Sequence, residues 1–248
     1  ANVNLNKAKK QKIAYETLLE SVTGMTETSL LQQDISKKTL TALAEKNLIQ
    51  HENVAIKVTE ENNEILQTPL TANTEQQYAI DQVLHAQQHY QAFLLDGLTG
   101  SGKTEVYLQI MQEVLKQGKQ ILVLVPEIGL TPQTIQRFRS RFACTTVILH
   151  SALNDTKRLA AWQAAQTGQA SIILGTRSAI YTPLPRLGLI ILDEEHDLSF
   201  KQQEGFRYHA RYVGMYRAYT EKCPIILGSA TPSVDSYALV KQQKMIHL

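Results

Sequence analysis

The sequence predicts an α/β protein: a parallel sheet with helices on both faces, preceded by a small helical unit. Three observations predict it. From residue 70 onward, apolar runs of four or five residues recur at Ala92 to Leu95, Ile121 to Val125, Thr146 to Leu149, Ser171 to Leu174, Leu189 to Leu192 and Pro224 to Leu227. Such runs fit strands buried on both faces. Helical stretches such as Thr104 to Lys116 and Lys157 to Ala165 lie between them, and that alternation builds a parallel sheet covered by helices. The first sixty-odd residues lack this pattern.

The small unit comes first in the chain. Ile13, Leu18, Leu19 and Val22 mark one short amphipathic helix, and Thr26 to Leu31 can start a second. Ser36 is an N-cap for a third, with Leu40, Leu43 and Ala44 on its apolar face and Asn47 suited to a left-handed C-cap. Leu48, Ile49 and the alternating Val54, Ile56 and Val58 then read as a β ribbon. Three short helices and a ribbon suggest a winged helix, whose third helix leads with Lys37 and Lys38 toward nucleic-acid phosphates. A helical cap that touches no nucleic acid fits the same residues equally. Glu60 to Gln67 is polar and reads as a linker, so the chain divides into residues 1–66 and 67–248.

Composition bounds the function. The chain has 248 residues, 43% hydrophobic and 19% charged, with a net charge of +2. It can bury a core without a disulfide or metal staple. No run of about 18 apolar residues marks a membrane span, and the polar N-terminal stretch lacks a signal peptide's apolar core. Cys144 and Cys223 alone make neither a zinc site nor a disulfide framework, which points to a reducing, cytoplasmic compartment. A charge of +2 neither demands nor excludes nucleic acid. A motor with two nucleotide-binding lobes needs roughly 350 residues or more.

Gly97-Leu98-Thr99-Gly100-Ser101-Gly102-Lys103-Thr104 matches G-x-x-x-x-G-K-[ST] between a strand and a helix, the context a phosphate-binding loop requires. Glycines let the backbone wrap, so that its N–H groups point at phosphate oxygens. The helix adds its positive N-terminal end. Lys103 then reaches the β- and γ-phosphates, and the Thr104 hydroxyl ligates magnesium. Strand Leu189 to Leu192 runs into Asp193-Glu194-Glu195-His196. An acid at that strand end faces the loop in an open α/β sheet. Asp193 would hold magnesium, and Glu194 would deprotonate the attacking water. His196 is either a γ-phosphate sensor or a surface imidazole. Ser229-Ala230-Thr231 follows the last strand, as a capped turn or as a relay between nucleotide and nucleic acid.

The Gly97 to Thr104 loop, Asp193 to His196 and Ser229 to Thr231 together resemble motifs I, II and III of superfamily 2 helicases. Val125 to Gln133, Gly175 to Ala179 and above all Lys201 to Arg211 resemble the PriA family of DNA helicases. The resemblance covers residues 70 to 248 and implies a RecA-like lobe, ATP and magnesium as cofactors, and unwinding of DNA with 3′-to-5′ polarity at replication forks. It implies that Gln76 (with Gln77 as alternative) bonds adenine and that Thr176 and Arg177 touch the DNA backbone. It further implies that Phe206, Arg207 and Tyr208 lie in an aromatic-rich loop coupling DNA to hydrolysis. Arg207 and Arg211 can contact phosphate, and the aromatics can stack on bases or serve as core. Implied partners are single-stranded and forked DNA, primosome proteins and single-stranded-DNA-binding protein. The family's second lobe, with its arginine-bearing motif and zinc-binding cysteines, has no counterpart here, so the chain reads as a fragment that holds nucleotide weakly and hydrolyses it negligibly. The competing readings are a DNA-binding scaffold with an inert loop and a small-molecule P-loop kinase.

Overall fold

A computed structural model describes residues 8–19, 30, 35–50 and 66–248. The chain divides into two compact units, residues 1–57 and 58–248.

In the first unit, α1 spans Lys9–Leu19 and α2 spans Lys37–Glu45. The Ser36 hydroxyl caps α2 by accepting from the Thr39 N–H at 3.3 Å. Asn47 takes φ 54°, and the bonds from Asn47 N–H to Ala44 O and from Leu48 N–H to Leu43 O close α2 with a Schellman turn. Ala14, Leu30, Ile35 and Leu43 are buried together, with Leu18, Leu40, Leu48 and Ile49 against them. The first helix therefore buries Ala14 and not the larger Ile13 and Leu19, both of which are exposed; periodicity located the helix but misjudged its face. Val22, the ribbon from Val54 to Val58 and, apart from Leu30, the second helix lie outside the described residues.

The second unit opens with α3, Thr74–His85, and continues β1, Gln91–Asp96; α4, Lys103–Lys116; β2, Gln120–Leu124; α5, Pro132–Arg141; and β3, Thr146–Leu149. It then runs α6, Asp155–Gln166; β4, Ile172–Gly175; β5, Leu187–Asp193; α7, Ala210–Glu221; β6, Pro224–Ser229; α8, Val234–Lys241; and β7, Ile246–His247. The strands form a seven-stranded sheet in the order β3-β4-β2-β5-β6-β1-β7, and every pairing is parallel.

Alternate residues of each strand feed opposite cores. Phe93 and Leu95, Ile121 and Val123, and Leu189 and Ile191 pack on one face with α3, α4 and α5. Ala92 and Leu94, Leu122 and Leu124, and Ile190 and Leu192 pack on the other with α6 and α7. This two-sided burial is why the strands read as continuous apolar runs. The order β5-β6-β1 has a functional consequence. It brings three loops that are distant in sequence, those after Asp96, Asp193 and Ser229, to neighbouring positions along one sheet edge.

Candidate nucleotide site and aromatic hairpin

The phosphate loop leaves β1 and enters α4 through two left-handed glycines, Gly100 at φ 83° and Gly102 at φ 91°. Gly102 is held from outside by Gln76: a Cβ at Gly102 would lie 2.5 Å from Gln76 Nε2. Gln76 also closes a capping box with Asn73 at the start of α3 and donates from Nε2 to Ser101 O at 2.9 Å. Gln76 thus fastens α3 to the loop, whereas Gln77 pairs along α3 with Asp81. The Lys103 ammonium donates to Gly97 O at 2.5 Å and Leu98 O at 3.4 Å, which keeps it inside the concavity of Gly97, Thr99, Gly100 and Ser101.

The three loops are knitted by backbone. Gly97 N–H donates to Ser229 O at 3.1 Å, and Glu195 N–H donates to Gly228 O at 2.9 Å. Asp193 ends β5 opposite Gly228 of β6. Burial pushes its carboxyl pKa up, helped by the nearby Glu194; a hydrogen bond from Tyr107 and the Lys103 charge pull the other way. Glu194 takes φ 52°, which turns the chain sharply so that both acids line one cleft with Lys103 and Thr104. The His196 ring bonds the buried Ser229 hydroxyl through Nδ1 at 2.7 Å, and Thr231 N–H donates to the same hydroxyl. His196 is therefore tied to the third loop.

The cleft has a volume of about 600 Å³, and its outer wall comes from residues that sequence reasoning missed or placed elsewhere. Gln67, read as linker, lines it, as do Thr68, Leu70, Arg137 and Arg141. Leu66 N–H donates to Arg141 O, and buried Arg141 bonds both Thr68 O and Glu105. Leu70 N–H donates to the Glu105 carboxylate, and Leu70 O accepts from Gln109. Leu66 and Gln67, read as linker, therefore pack with this second unit. No local pattern marks Glu105 or Arg141, because their partners lie on other segments.

A second cluster lies around β4 and the loop after β5. Thr176 is buried at the end of β4, and the Arg177 guanidinium donates to Ser199 O and Lys201 O at 2.9 and 3.0 Å. Arg177 thus fastens one loop to another, while Thr176 is buried beside it. Lys201 bridges His209 in antiparallel fashion, and Gln202 N–H donates to Tyr208 O, so residues 201–209 form a hairpin. Phe206 at its tip is 80% exposed, and Arg207 is exposed beside it. Tyr208 is half-buried, edge-on to Tyr181 at 5.0 Å and tilted against Phe206 at 6.2 Å. Tyr181, unnoticed in the sequence, extends this aromatic surface.

Arg211 requires a correction. Only 2% of its side chain is exposed, and its guanidinium bonds Glu195 at 2.7 Å, Asp235 at 2.8 Å, and the Ser233 and Ser236 hydroxyls. A guanidinium so enclosed does not reach a DNA phosphate. The Glu195 carboxylate also accepts from Ser233 N–H and Ser236 Oγ, so the pair joins the loop after β5 to both α7 and α8.

Comparison with known proteins gives a consistent picture. Residues 73–240 match the DEAD/DEAH box helicase family. The chain is 52% identical to the replication restart protein PriA of Haemophilus influenzae over 189 residues, which is 75% of this chain and 26% of that protein. It is 48% identical to the PriA of Synechocystis over 214 residues, which is 86% of this chain and 25% of that protein. The chain thus spans about a quarter of the length of these relatives. A structure of RecG bound to a three-way DNA junction superposes with a TM-score of 0.55 at 22% identity, covering 73% of this chain and 24% of that one, which supports the RecA-like α/β fold. With the phosphate loop, the acidic turn and the Ser229 loop meeting at one sheet edge, the chain belongs to the DEAD/DEAH box helicase family, and its sequence is similar to the PriA proteins over part of their length.

Proposed function

We propose that the chain is the ATP-binding lobe of a DNA helicase that restarts replication forks. One observation carries the reading: Lys103, Thr104, Asp193 and Glu194, ninety residues apart in sequence, line a single cleft. The donor set fits a magnesium nucleotide. Hydroxyl and carboxylate oxygens suit a hard cation that keeps part of its water shell, and a lysine within a glycine-rich turn suits phosphate.

In this mechanism Lys103 and the loop N–H groups hold the triphosphate, aided by the N-terminal end of α4. Magnesium bound there would supply charge that neutralises the phosphates. Thr104 and Asp193 would hold that ion, Glu194 takes the proton of the attacking water, and His196 links the acidic turn to Ser229. Gln76 braces the loop and offers its amide edge to adenine. The exposed Phe206 and Arg207 meet single-stranded DNA by stacking and phosphate contact. Arg177 holds the base of that hairpin, with Thr176 beside it at the end of β4. In the small unit, the exposed Lys37 and Lys38 at the start of α2 support a winged helix that touches DNA. An arginine from a second lobe would complete the site, worth about three to five orders of magnitude in rate.

The test is binding and turnover by the chain with Lys103→Ala as control. The wild-type chain should bind ATP or ADP with little hydrolysis. Lys103→Ala should weaken nucleotide binding by roughly tenfold or more while sparing DNA binding. A chain that binds no nucleotide, or binds it equally well without Lys103, would sink the reading.

A further inference from the structure

The buried Tyr107 has no place in any of the motifs above. It lies on α4, one turn past the phosphate loop, and its side chain is almost fully withdrawn from solvent. Its phenol donates to Asp193 Oδ1 at 3.1 Å. A second observation fixes that phenol from another side. Gly228 pairs in register with Asp193 across β6 and β5. A Cβ at Gly228 would overlap the Tyr107 hydroxyl outright. The glycine is thus the floor of a slot that admits a phenol between the helix behind the phosphate loop and two strands that carry the acidic turn and the Ser229 loop.

A carboxylate at a strand end can rotate about its last bond, and each orientation presents different lone pairs. A buried donor such as this phenol, together with the Glu194 backbone N–H, limits that rotation and leaves lone pairs on the carboxylate to accept from a metal-bound water. Outer partners of this kind orient metal-binding groups and are felt in metal affinity. We propose that Tyr107 is the positioning residue for the magnesium–nucleotide site: its phenol, seated on Gly228, holds Asp193 in the orientation that receives the hydrated cation. The inference rests on the nucleotide reading above and adds to it a residue on which the metal-dependent part of binding depends. Because the same phenol touches β6 next to Ser229, a shift of that strand would reach the metal ligand without passing through the phosphate loop.

Tyr107→Phe removes only the hydroxyl and keeps the ring, so the core packing is retained. The 248-residue chain and this variant are titrated with a fluorescent ADP, once with excess magnesium and once with EDTA. The wild-type chain should bind more tightly with magnesium. In Tyr107→Phe that gain should shrink roughly fivefold or more, and the magnesium concentration for half-maximal effect should rise by a similar factor. Binding in EDTA should match wild type within about twofold. A full magnesium gain in the variant would overturn the proposal. So would an equal loss in both arms, which would mark Tyr107 as packing alone. If the wild-type chain binds no nucleotide in either arm, the nucleotide reading itself falls and takes this inference with it.

Discussion

Arg211 and Glu195 form an ion pair at 2.7 Å with both side chains almost completely enclosed by protein. Neither charge has water to fall back on. Removing Arg211 strands the Glu195 charge, and removing Glu195 leaves Arg211 to Asp235; breaking a buried pair costs about 3–5 kcal/mol, whereas replacing both partners by apolar groups of similar size is often close to neutral. Glu195→Met and Arg211→Met should each lower stability sharply, and the double variant should recover part of the loss. Urea unfolding of all three measures it. Additive losses would show that the two side chains act independently.

The two left-handed glycines of the phosphate loop separate backbone strain from packing. Gly100→Ala meets open space, so it should cost only the strain of a positive φ, about 1–2 kcal/mol. Gly102→Ala carries the same strain and also drives a methyl into Gln76 Nε2. It should destabilise more and release the Gln76 bond to Ser101. Thermal unfolding and fluorescent-ADP binding of the two variants, side by side, check the difference.

Phe206 and Tyr208 should part company on substitution. Phe206 is exposed at the hairpin tip, so Phe206→Ala should leave stability within about 0.5 kcal/mol. Loss of a base-stacking face should cost about 1–3 kcal/mol in single-strand binding. Tyr208→Ala should lower both, because the ring also packs on Tyr181. Anisotropy with a labelled oligonucleotide, paired with unfolding curves, reads both quantities.

Acidification should loosen the start of α7. His209 caps it: Nδ1 accepts from the Arg211 N–H at 3.3 Å, so that nitrogen must be unprotonated. Burial and the Arg211 charge hold the imidazole pKa below its ordinary 6.5, against the opposing pull of Glu195 and Asp235. The unfolded chain therefore takes up a proton before the folded one does. Stability from this residue is intact above about 6.5 and is lost as pH falls through the depressed folded value. Melting temperature against pH should drop less below 6.5 in His209→Asn, whose amide can cap without titrating. Parallel curves would exclude His209 as the source.

Strands β1 to β6 were legible because each carries an unbroken apolar run, and the observed ends fall within two residues of those runs; the two-residue β7, Ile246–His247, has no such run and went unread. The phosphate loop and the acidic turn were legible because their chemistry is local. What escaped was long-range. Arg211 looked like a DNA contact because it follows Phe206 and Arg207, and nothing nearby shows that Glu195 and Asp235 enclose it. Nothing local marks Tyr107 on α4, since its partners are Asp193 and Gly228. Glu105 and Arg141 form the cleft wall through a contact across separate helices. Ala14 in place of Ile13 shows the same limit on a smaller scale: helical spacing finds a stripe, and tertiary packing selects the residues that fill it.

The strand order also dictates when the site can exist during synthesis. β1 ends in the phosphate loop, but its inner neighbour is β6, with Gln91 opposite Pro224 and Asp96 opposite Ser229. On a growing chain the loop emerges well before the strand that must lie beside it. Closing so long a span is slow, and unpaired strand edges invite wrong partners in the meantime. The nascent chain therefore carries a phosphate loop in sequence well before it carries one in space, and nucleotide can stabilise the fold only after β6 has been translated.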